Sequence, residues 1–286
     1  MFRTRFAPSP TGPLHLGHAY SAIHAHDMAM AAGGQFLVRI EDIDTSRARE
    51  HWEAQIYDDL SWLGLRWPEP VMRQSDRTAA YAEALEQLWD MGVLYACTCS
   101  RRDILEAASA PQEGVPVHGP DGLIYPGTCR PARTAAQRDR PVAATLRLDV
   151  QASLMPDDVF SFIETGSGPE GETGAIRFSG RQVISDIGDV VLARQSMAAA
   201  YHLAVVLDDA AQGISHVVRG QDLFEATKIH VVLQRLLGLP TPVYHHHRLI
   251  RDESGKRLAK RDDARAISAF RKDGVSMQEL REKLAL

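Results

Sequence analysis

Residues 8–18 have the sequence PSPTGPLHLGH, and this stretch decides how the chain begins to fold. Its prolines and glycine predict a loop, which follows a short strand candidate at residues 2–7. A helix is expected directly afterwards, because Leu16, Tyr20 and Ile23 fall on one helical face. The N-terminal part of the chain therefore predicts a strand, a loop and a helix in that order.

Two histidines, His15 and His18, stand at the predicted start of this helix. They are three residues apart, so both side chains lie on one face of the first turn. The free N–H groups and the positive dipole end of a helix start attract phosphates, and Gly17 leaves room for a nucleotide to approach the backbone. Two imidazoles there can donate hydrogen bonds to phosphate oxygens. Taken alone, this spacing fits two surface histidines equally well.

The pattern of alternating strands and helices continues through residue 96. Residues 36–40 are mostly apolar, which is typical of a buried parallel strand, and residues 44–46 are predicted to cap the following helix. The apolar faces of two further helices are Trp52, Ile56, Leu60 and Leu63, and then Tyr81, Leu85 and Leu88, with Gly92 ending the second. This βαβα order predicts an α/β fold with a doubly wound parallel sheet.

Four segments follow from changes in this pattern. Residues 1–96 form the first half of a core, and residues 97–194 read as an insertion with antiparallel strand character, loop-like over 109–135. The α/β pattern returns in residues 195–250, with a helix that uses Ile229, Leu233 and Leu236 and stops at Gly238. Residues 251–286 read as a loop followed by short helices.

Composition excludes several classes of protein. The chain has 286 residues, 44% of them hydrophobic and 24% charged, which excludes a mainly disordered chain. No apolar run approaches the ~18 residues that a membrane helix needs, and residues 1–6 show no secretory signal, so we expect a cytoplasmic protein without membrane contact. The net charge of -5 argues against a protein that coats nucleic acid. Residues 251–286 carry 10 basic and 7 acidic residues, so a local surface there remains a candidate.

A basic run, KRLAKR, occupies residues 256–261 and follows Gly255. A glycine-containing loop with several cations can close over a triphosphate, and a lysine there can neutralise charge on a departing pyrophosphate. A basic run is by itself most often a solvated surface. Its meaning depends on the histidines at the helix start.

Together these motifs resemble the class I aminoacyl-tRNA synthetases. HLGH at residues 15–18 resembles their HIGH signature and RLAKR at 257–261 resembles their KMSKS loop. Four further strings resemble the glutamyl-tRNA synthetase subgroup: RFAPSPTG at residues 5–12, RIED at 39–42, YHLAVVLDD at 201–209 and HVVRG at 216–220. The likeness covers nearly the whole chain and implies a Rossmann-type catalytic core. Ala259 and Arg257 depart from the KMSKS pattern, whereas Lys260 matches it.

This resemblance implies activation of L-glutamate by ATP, with Mg²⁺, to an adenylate. His15, His18 and Lys260 would be the catalytic residues, and with Gly17 they would bind ATP. Arginine binds carboxylates through a planar fork, so Arg5 and Arg219 suit the glutamate side chain. The full set expected to bind glutamate is Arg5, Phe6, Ala7, Pro8, Ser9, Glu41, Tyr201 and Arg219. Within it Tyr201 adds a hydroxyl, and Glu41 with Ser9 holds the ammonium group. Glu41 with Asp42 is also compatible with a helix-capping acidic pair.

Three cysteines, Cys97, Cys99 and Cys129, lie within 33 residues, and their odd number argues against a disulfide framework. Structural zinc prefers four ligands, and His118 is the better fourth ligand on general chemistry. The resemblance points instead to Tyr125, in a Cys-x-Cys and Tyr-x-x-x-Cys pattern that implies one structural Zn²⁺. Three free cysteines, or a labile bridge between Cys99 and Cys129, remain the alternatives. By contrast, three consecutive histidines at 245–247 make a poor metal clamp, since neighbours in a strand face opposite sides.

Only 25 residues follow Arg261, too few for the helical anticodon-binding half of a glutamyl-tRNA synthetase. A core without that half resembles the glutamyl-queuosine tRNA(Asp) synthetases. Members of that family activate glutamate without tRNA and transfer it to queuosine in the anticodon loop of tRNA(Asp). We therefore expect an enzyme, a ligase that works as a monomer with tRNA(Asp) carrying queuosine. The alternatives are a minimal glutamyl-tRNA synthetase that charges a tRNA 3′ end and a non-catalytic tRNA-binding paralogue.

Overall fold

A computed structural model describes residues 1–108, 118–120, 122–130, 139–141, 143–251 and 265–286. Lys260 and the basic run around it lie outside the described residues, as does much of the loop-like stretch 109–135. In the described part of the chain, every helix is too short or too polar to cross a membrane.

The first part of the chain alternates strands and helices, as its pattern predicts. The elements are β1 (Arg3–Phe6), α1 (Leu16–Ala31), β2 (Gln35–Ile40), α2 (Glu50–Trp62), β3 (Met72–Arg73) and α3 (Thr78–Asp90). The three strands form a parallel sheet in the order β1, β2, β3. Tyr20 and Ile23 of α1 are buried, and Gly33, at φ 60°, lets the chain leave α1 and enter β2.

The start of α2 differs from the prediction. Residues 44–46 do not cap this helix; its N-cap is Arg49, which makes no capping bond through its side chain. Asp44 instead closes a turn of its own: its backbone carbonyl accepts the N–H groups of Arg47 and Ala48, and its carboxylate accepts hydrogen bonds from Ser46 Oγ and Arg47 Nε. Aspartate satisfies nearby backbone donors in turns as readily as at helix starts, so the local pattern does not separate the two.

The middle of the chain is built of short elements. They are β4 (Leu94–Cys97), α4 (Arg101–Ala108), β5 (His118–Gly119), β6 (Gly122–Leu123), β7 (Thr145–Leu148), α5 (Val150–Ser153), β8 (Val159–Glu164), β9 (Gly174–Ser179), α6 (Gly180–Asp186) and β10 (Val191–Ala193). β7 pairs antiparallel with both β4 and β10, as the predicted strand character requires. Residues 180–186 are helical rather than extended, because Ser179 and Gln182 form a capping box.

The second half of the core adds α7 (Tyr201–Ala211), β11 (His216–Gly220), α8 (Thr227–Leu236) and β12 (Val243–His247). These strands build a second sheet in the order β11, β12, β8, β9, parallel except for the β8–β9 pair. β8 belongs to the segment 97–194 but pairs with β12, which belongs to the segment 195–250. The two sheets meet where Ser215 N–H donates to Arg3 O at 3.1 Å. The carboxyl ends of β1, β2 and β11 therefore open on one side of the molecule.

The chain ends in two short helices, α9 (Ile267–Lys272) and α10 (Met277–Leu284), as predicted. They pack on the first half of the core. One cluster of buried side chains contains residues from both parts: Leu14, Ile23, Ile40, Ile56, Leu60, Ile267, Phe270, Leu280 and Leu284. A second, larger cluster lies under α3, α7, α8 and β8. The cavity described next opens at the strand ends that these clusters support.

Candidate active site

A cavity of about 590 Å³ opens at the carboxyl ends of β1, β2 and β11, the position where doubly wound sheets bind ligands. Nearly every residue predicted to bind glutamate or ATP lines it: Arg5, Phe6, Ala7, Ser9, His15, Gly17, His18, Glu41, Tyr201 and Arg219. Pro8 stands behind this wall, and its carbonyl accepts the N–H of Glu41 at 3.0 Å. Lys260 lies outside the described residues, but Ile250 lines the cavity and Ala266 bridges to His15.

The two histidines begin α1 as a reciprocal cap. His15 is the N-cap, and its Nδ1 accepts the N–H of Gly17 at 3.1 Å. His18 Nδ1 accepts the N–H of His15, also at 3.1 Å. With both Nδ1 atoms acting as acceptors, each neutral ring carries its proton on Nε2. Both rings, whose centroids are 3.8 Å apart, therefore present an Nε2–H donor.

Gly17 gives the imidazole of this cap its room. A β-carbon at position 17 would lie 3.1 Å from His15 Cε1 and 3.2 Å from His15 Nδ1. Contacts of that length would shift the imidazole by a few tenths of an ångström and lengthen its capping bond. The glycine thus serves the geometry of His15, in addition to opening the backbone to a ligand.

Arg5 is held by a carboxylate that the sequence analysis did not assign. Asp209, in α7, accepts Arg5 Nε–H at 2.9 Å and Nη2–H at 3.2 Å, and it accepts Arg39 Nη1–H at 2.7 Å. Arg5 Nη1 makes no hydrogen bond to Asp209. Burial alone would raise the pKa of Asp209, but the two guanidinium charges and their hydrogen bonds hold it below its usual value. Asp209 is therefore ionised and fixes Arg5 at the cavity wall.

Arg39 extends this network to Glu41 and Asp208. It is fully buried, and its Nη2–H donates to Glu41 Oε1 at 3.3 Å. Burial raises the pKa of Glu41, against the opposing charges of Arg39 and Arg5. Asp208 accepts from Tyr81 Oη at 2.8 Å and joins α7 to α3. In the sequence, the feature that could have pointed to Asp208 and Asp209 as buried site residues is that they form an acidic pair inside an otherwise apolar helix.

The guanidinium group of Arg219, at the end of β11, is oriented by hydrogen bonds to neighbouring residues of the protein. Its Nη2–H groups donate to Thr227 Oγ1 at 2.7 Å and Leu223 O at 3.2 Å, and Nη1–H donates to His230 Nδ1 at 3.1 Å. Tyr201 lies beside it at the start of α7, where burial raises the pKa of its phenol. Two guanidinium groups, a phenol and a carboxylate thus line the same cavity.

The three cysteines form one group in the middle of the chain. Cys97 ends β4, Cys99 follows it, and Cys129 lies on a turn; their sulfur atoms are all within 4.8 Å of one another. Tyr125 Oη lies 3.5 Å from Cys97 Sγ and 3.3 Å from Cys99 Sγ. Burial would raise the pKa of Cys129, but hydrogen bonds, first from Tyr125, lower it to about 6 and favour the thiolate. His118 is not part of this group.

The three sulfur atoms lie close enough together to share one metal ion, and Tyr125 Oη beside them would complete the four ligands that structural zinc takes. The described residues contain no other group of three His, Cys, Asp or Glu side chains placed to hold a metal ion. His246, in the run at 245–247, is buried in β12 and bonded to protein groups.

Comparison with known proteins places this chain in a family. The model of the catalytic domain of class I tRNA synthetases (E and Q) matches residues 1–286. A glutamyl-Q tRNA(Asp) synthetase from Rhodobacter capsulatus is 59% identical over 289 residues, covering 99% of both chains. Another, from Symbiobacterium thermophilum, is 39% identical and covers 98% of this chain and 84% of that protein.

Solved structures agree in fold. A glutamate tRNA ligase from Elizabethkingia meningosepticum, in complex with its amino acid, is 26% identical with a TM-score of 0.70; the match covers 91% of this chain and 52% of that one. This chain therefore spans about half the length of that ligase. Methionyl-tRNA synthetase from Mycobacterium tuberculosis, 12% identical with a TM-score of 0.58, shares the fold alone. The predicted Rossmann-type fold and ligase class are confirmed, and the chain belongs to the class I tRNA synthetases, in the family of glutamyl-Q tRNA(Asp) synthetases.

Proposed function

We propose that this ligase activates L-glutamate with ATP in the absence of tRNA and transfers it to queuosine in the anticodon loop of tRNA(Asp). The observation that carries the activation step is the cavity itself, which combines Arg5, Arg219, Glu41 and the His15–His18 pair. The acceptor is inferred from the relatives, which are glutamyl-Q tRNA(Asp) synthetases. We further propose that the enzyme acts as a monomer.

Glutamate recognition follows from the charges that line the cavity. Arg5 and Arg219, with the Tyr201 hydroxyl, bind the side-chain carboxylate. Asp209 already pairs with Nε and Nη2 of Arg5, whereas the hydrogen-bond partners of Arg219 among the described residues carry no carboxylate, so the buried charge of Arg219 favours an anionic ligand. Glutamine lacks that charge and is disfavoured for the same reason. Glu41 and Ser9 hold the α-ammonium group, while Phe6 and Ala7 form the wall between them and Pro8 supports it from behind through the N–H of Glu41.

Activation is an in-line displacement at the α-phosphorus of Mg²⁺-bound ATP. An oxygen of the glutamate α-carboxylate forms a bond to the α-phosphorus, and the bond from that phosphorus to the bridging oxygen breaks, releasing pyrophosphate. The Nε2–H donors of His15 and His18 stabilise the charge on the phosphate oxygens, and Lys260 neutralises the departing pyrophosphate. The residues position the reactants and stabilise charge without forming a covalent intermediate.

The cysteine group is proposed to hold one structural Zn²⁺ through Cys97, Cys99, Tyr125 and Cys129. The ion would tie the end of β4 to the turn that carries Cys129. Residues 97–194 then form a zinc-bearing insertion for the nucleic-acid acceptor, between core halves at residues 1–96 and 195–250. The segment 251–286 supplies the Lys260 loop and the closing helices.

Exchange of pyrophosphate into ATP, dependent on glutamate and measured without tRNA, tests the activation step. Wild type should exchange, and His15→Ala should lose about 100-fold or more, as removal of a transition-state donor does. His51→Ala, an exposed histidine of α2 away from the cavity, is the matched control and should keep full activity. Absence of exchange in wild type would refute activation without tRNA.

Transfer is tested with labelled glutamate and tRNA(Asp) with or without queuosine. Nuclease mapping should place the label in the anticodon loop, and only in tRNA that carries queuosine. A label at the 3′ end would instead identify a minimal glutamyl-tRNA synthetase.

A further inference from the structure

A buried carboxylate, Glu164, stands at the end of β8 and faces β12. Its side chain is 1% exposed. Oε1 accepts two backbone N–H groups, from Gly166 at 2.7 Å and from His246 at 2.9 Å. Oε2 lies 2.5 Å from His246 Nδ1. All of these contacts bind Glu164 to its own loop and to one histidine of β12.

The partners of His246 determine its tautomer. Carboxylate Oε2 can only accept, so Nδ1 carries the proton, and Nε2 is then the acceptor of a neutral ring. Arg219 Nε–H donates to that Nε2 at 3.1 Å. Burial, opposed in part by Glu164, lowers the pKa of His246 and keeps the ring neutral, while hydrogen bonds from His246 hold the pKa of Glu164 below its usual value. A buried carboxylate is thus linked to Arg219 through one imidazole.

The contacts of Arg219 show what this link does. Its Nε–H is taken by His246, both Nη2–H groups by Thr227 and Leu223, and one Nη1–H by His230. Among the described residues, one Nη1–H is left for a ligand in the cavity. A guanidinium held at three nitrogens cannot rotate, so the direction of the remaining N–H depends on its acceptors. His246 is the acceptor whose tautomer depends on a single carboxylate.

We propose that Glu164 is a positioning residue that acts through His246 to orient Arg219 and thereby sets the preference of the cavity for glutamate over glutamine. This rests on the proposed role of Arg219 in binding the side-chain carboxylate. Glu164 belongs to residues 97–194 and His246 to residues 195–250, so the inserted segment supplies part of the support for the amino-acid pocket. Neither residue lines the cavity, and neither touches substrate.

Glu164→Gln tests this link with little change of shape. The two backbone N–H groups at Oε1 require the amide oxygen at that position, which places the amide NH₂ against His246 Nδ1. His246 must then carry its proton on Nε2, where it can donate to Thr227 Oγ1 at 3.3 Å but no longer accepts the N–H of Arg219. The same substitution at Glu170, an exposed residue between β8 and β9, is the matched control.

Two measurements are needed. In glutamate-dependent pyrophosphate exchange, Glu164→Gln should raise KM for glutamate about 10-fold, as loss of a hydrogen bond to a charged group does, and reduce the selectivity against glutamine, with kcat changed less than about 3-fold. Glu170→Gln should match wild type. Long-range ¹H–¹⁵N NMR should show His246 protonated at Nδ1 in wild type and at Nε2 in Glu164→Gln.

The outcomes separate this proposal from the proposed function. Wild type protonated at Nε2 of His246 would overturn the positioning role even if the variant fails to fold. Unchanged KM and selectivity in a folded Glu164→Gln would overturn it as well. A wild type that activates no glutamate would instead overturn the proposed function and, with it, the selectivity assigned to Arg219.

Discussion

Buried aspartates of this protein have opposite pKa shifts because their neighbours differ. Asp209 is ionised between Arg5 and Arg39, whose charges and hydrogen bonds outweigh the cost of burial. Asp59, in α2, is fully buried, and neither of its carboxylate oxygens has a hydrogen-bond partner within 3.5 Å in the described part of the chain. Burial raises its pKa to about 6, opposed in part by the charge of Arg271 and by the amide of Gln55. The charge on Asp59 therefore costs stability.

We expect Asp59→Asn to stabilise the protein at pH 8 by about 1–3 kcal/mol, because the amide carries no charge to desolvate. The folded pKa of about 6 lies above the ordinary value of 3.8. The contribution of Asp59 to the free energy of unfolding is thus most favourable below pH 3.8, and this contribution is lost as the pH rises through about 6. The advantage of the variant should shrink at pH 5 in urea unfolding, and exposed Asp58→Asn should show no such trend. An equal gain at both pH values would contradict this assignment.

At the scale of elements, the cysteine group joins pieces of chain that have little regular structure of their own. β5 and β6 are two residues long, and the sulfur group ties the turn from Tyr125 to Cys129 to β4. Arg130 Nη2–H donates to Asp189 Oδ2 at 2.7 Å, and the same oxygen accepts the hydroxyl of Tyr95 in β4 at 2.6 Å. Short elements bury little apolar surface, so a metal ion can supply much of their stability.

We expect one zinc ion per chain by inductively coupled plasma mass spectrometry. Cys129→Ser should remove it, because serine replaces a thiolate ligand, and Tyr125→Phe should bind it about 10–100-fold more weakly. His118→Ala is the control and should retain full zinc. Loss of zinc in His118→Ala, but not in Tyr125→Phe, would show that histidine is the fourth ligand.

At the scale of the whole molecule, the last helix of the chain packs into the hydrophobic core that the first helices and strands form. Leu280 and Leu284 of α10 are buried in the cluster that contains Ile23 of α1. Arg281 Nη1–H donates to Asp27 Oδ2 at 2.7 Å, which fixes α10 against the same helix. α1 carries His15 and His18 at its start, so the closing helices support the helix that begins the site.

We expect Leu280→Ala to lower the free energy of unfolding by about 2–5 kcal/mol, through the cavity it leaves in this core. Met277→Ala, on the same helix with a side chain 38% exposed, should cost less than about 1 kcal/mol. Urea unfolding measures both. Similar small losses in the two variants would mean that α10 contributes little to the core.

Features that depend on near neighbours in the chain could be predicted from the sequence. The buried faces of α1, α2 and α3 follow from the spacing of their apolar residues, and the loop before His15 follows from its prolines and glycine. The match of ordered motifs also identified the family. Residues 44–46 do not cap α2, because the same side-chain chemistry also stabilises a turn. Residues 180–186 lie in the segment predicted to have strand character, but they form a helix that Ser179 and Gln182 cap.

The sequence alone therefore determined the fold class, the family and most of the residues that line the cavity, since these are written in local pattern and motif. Only the tertiary structure decided that Asp209 holds Arg5, 204 residues away, and that Glu164 reaches Arg219 through His246. It also brought Tyr125, rather than His118, to the cysteines. The reason is physical: ionic and hydrogen-bond partners are selected by burial and distance in space, and helical or strand periodicity carries no information about which distant side chain will meet them.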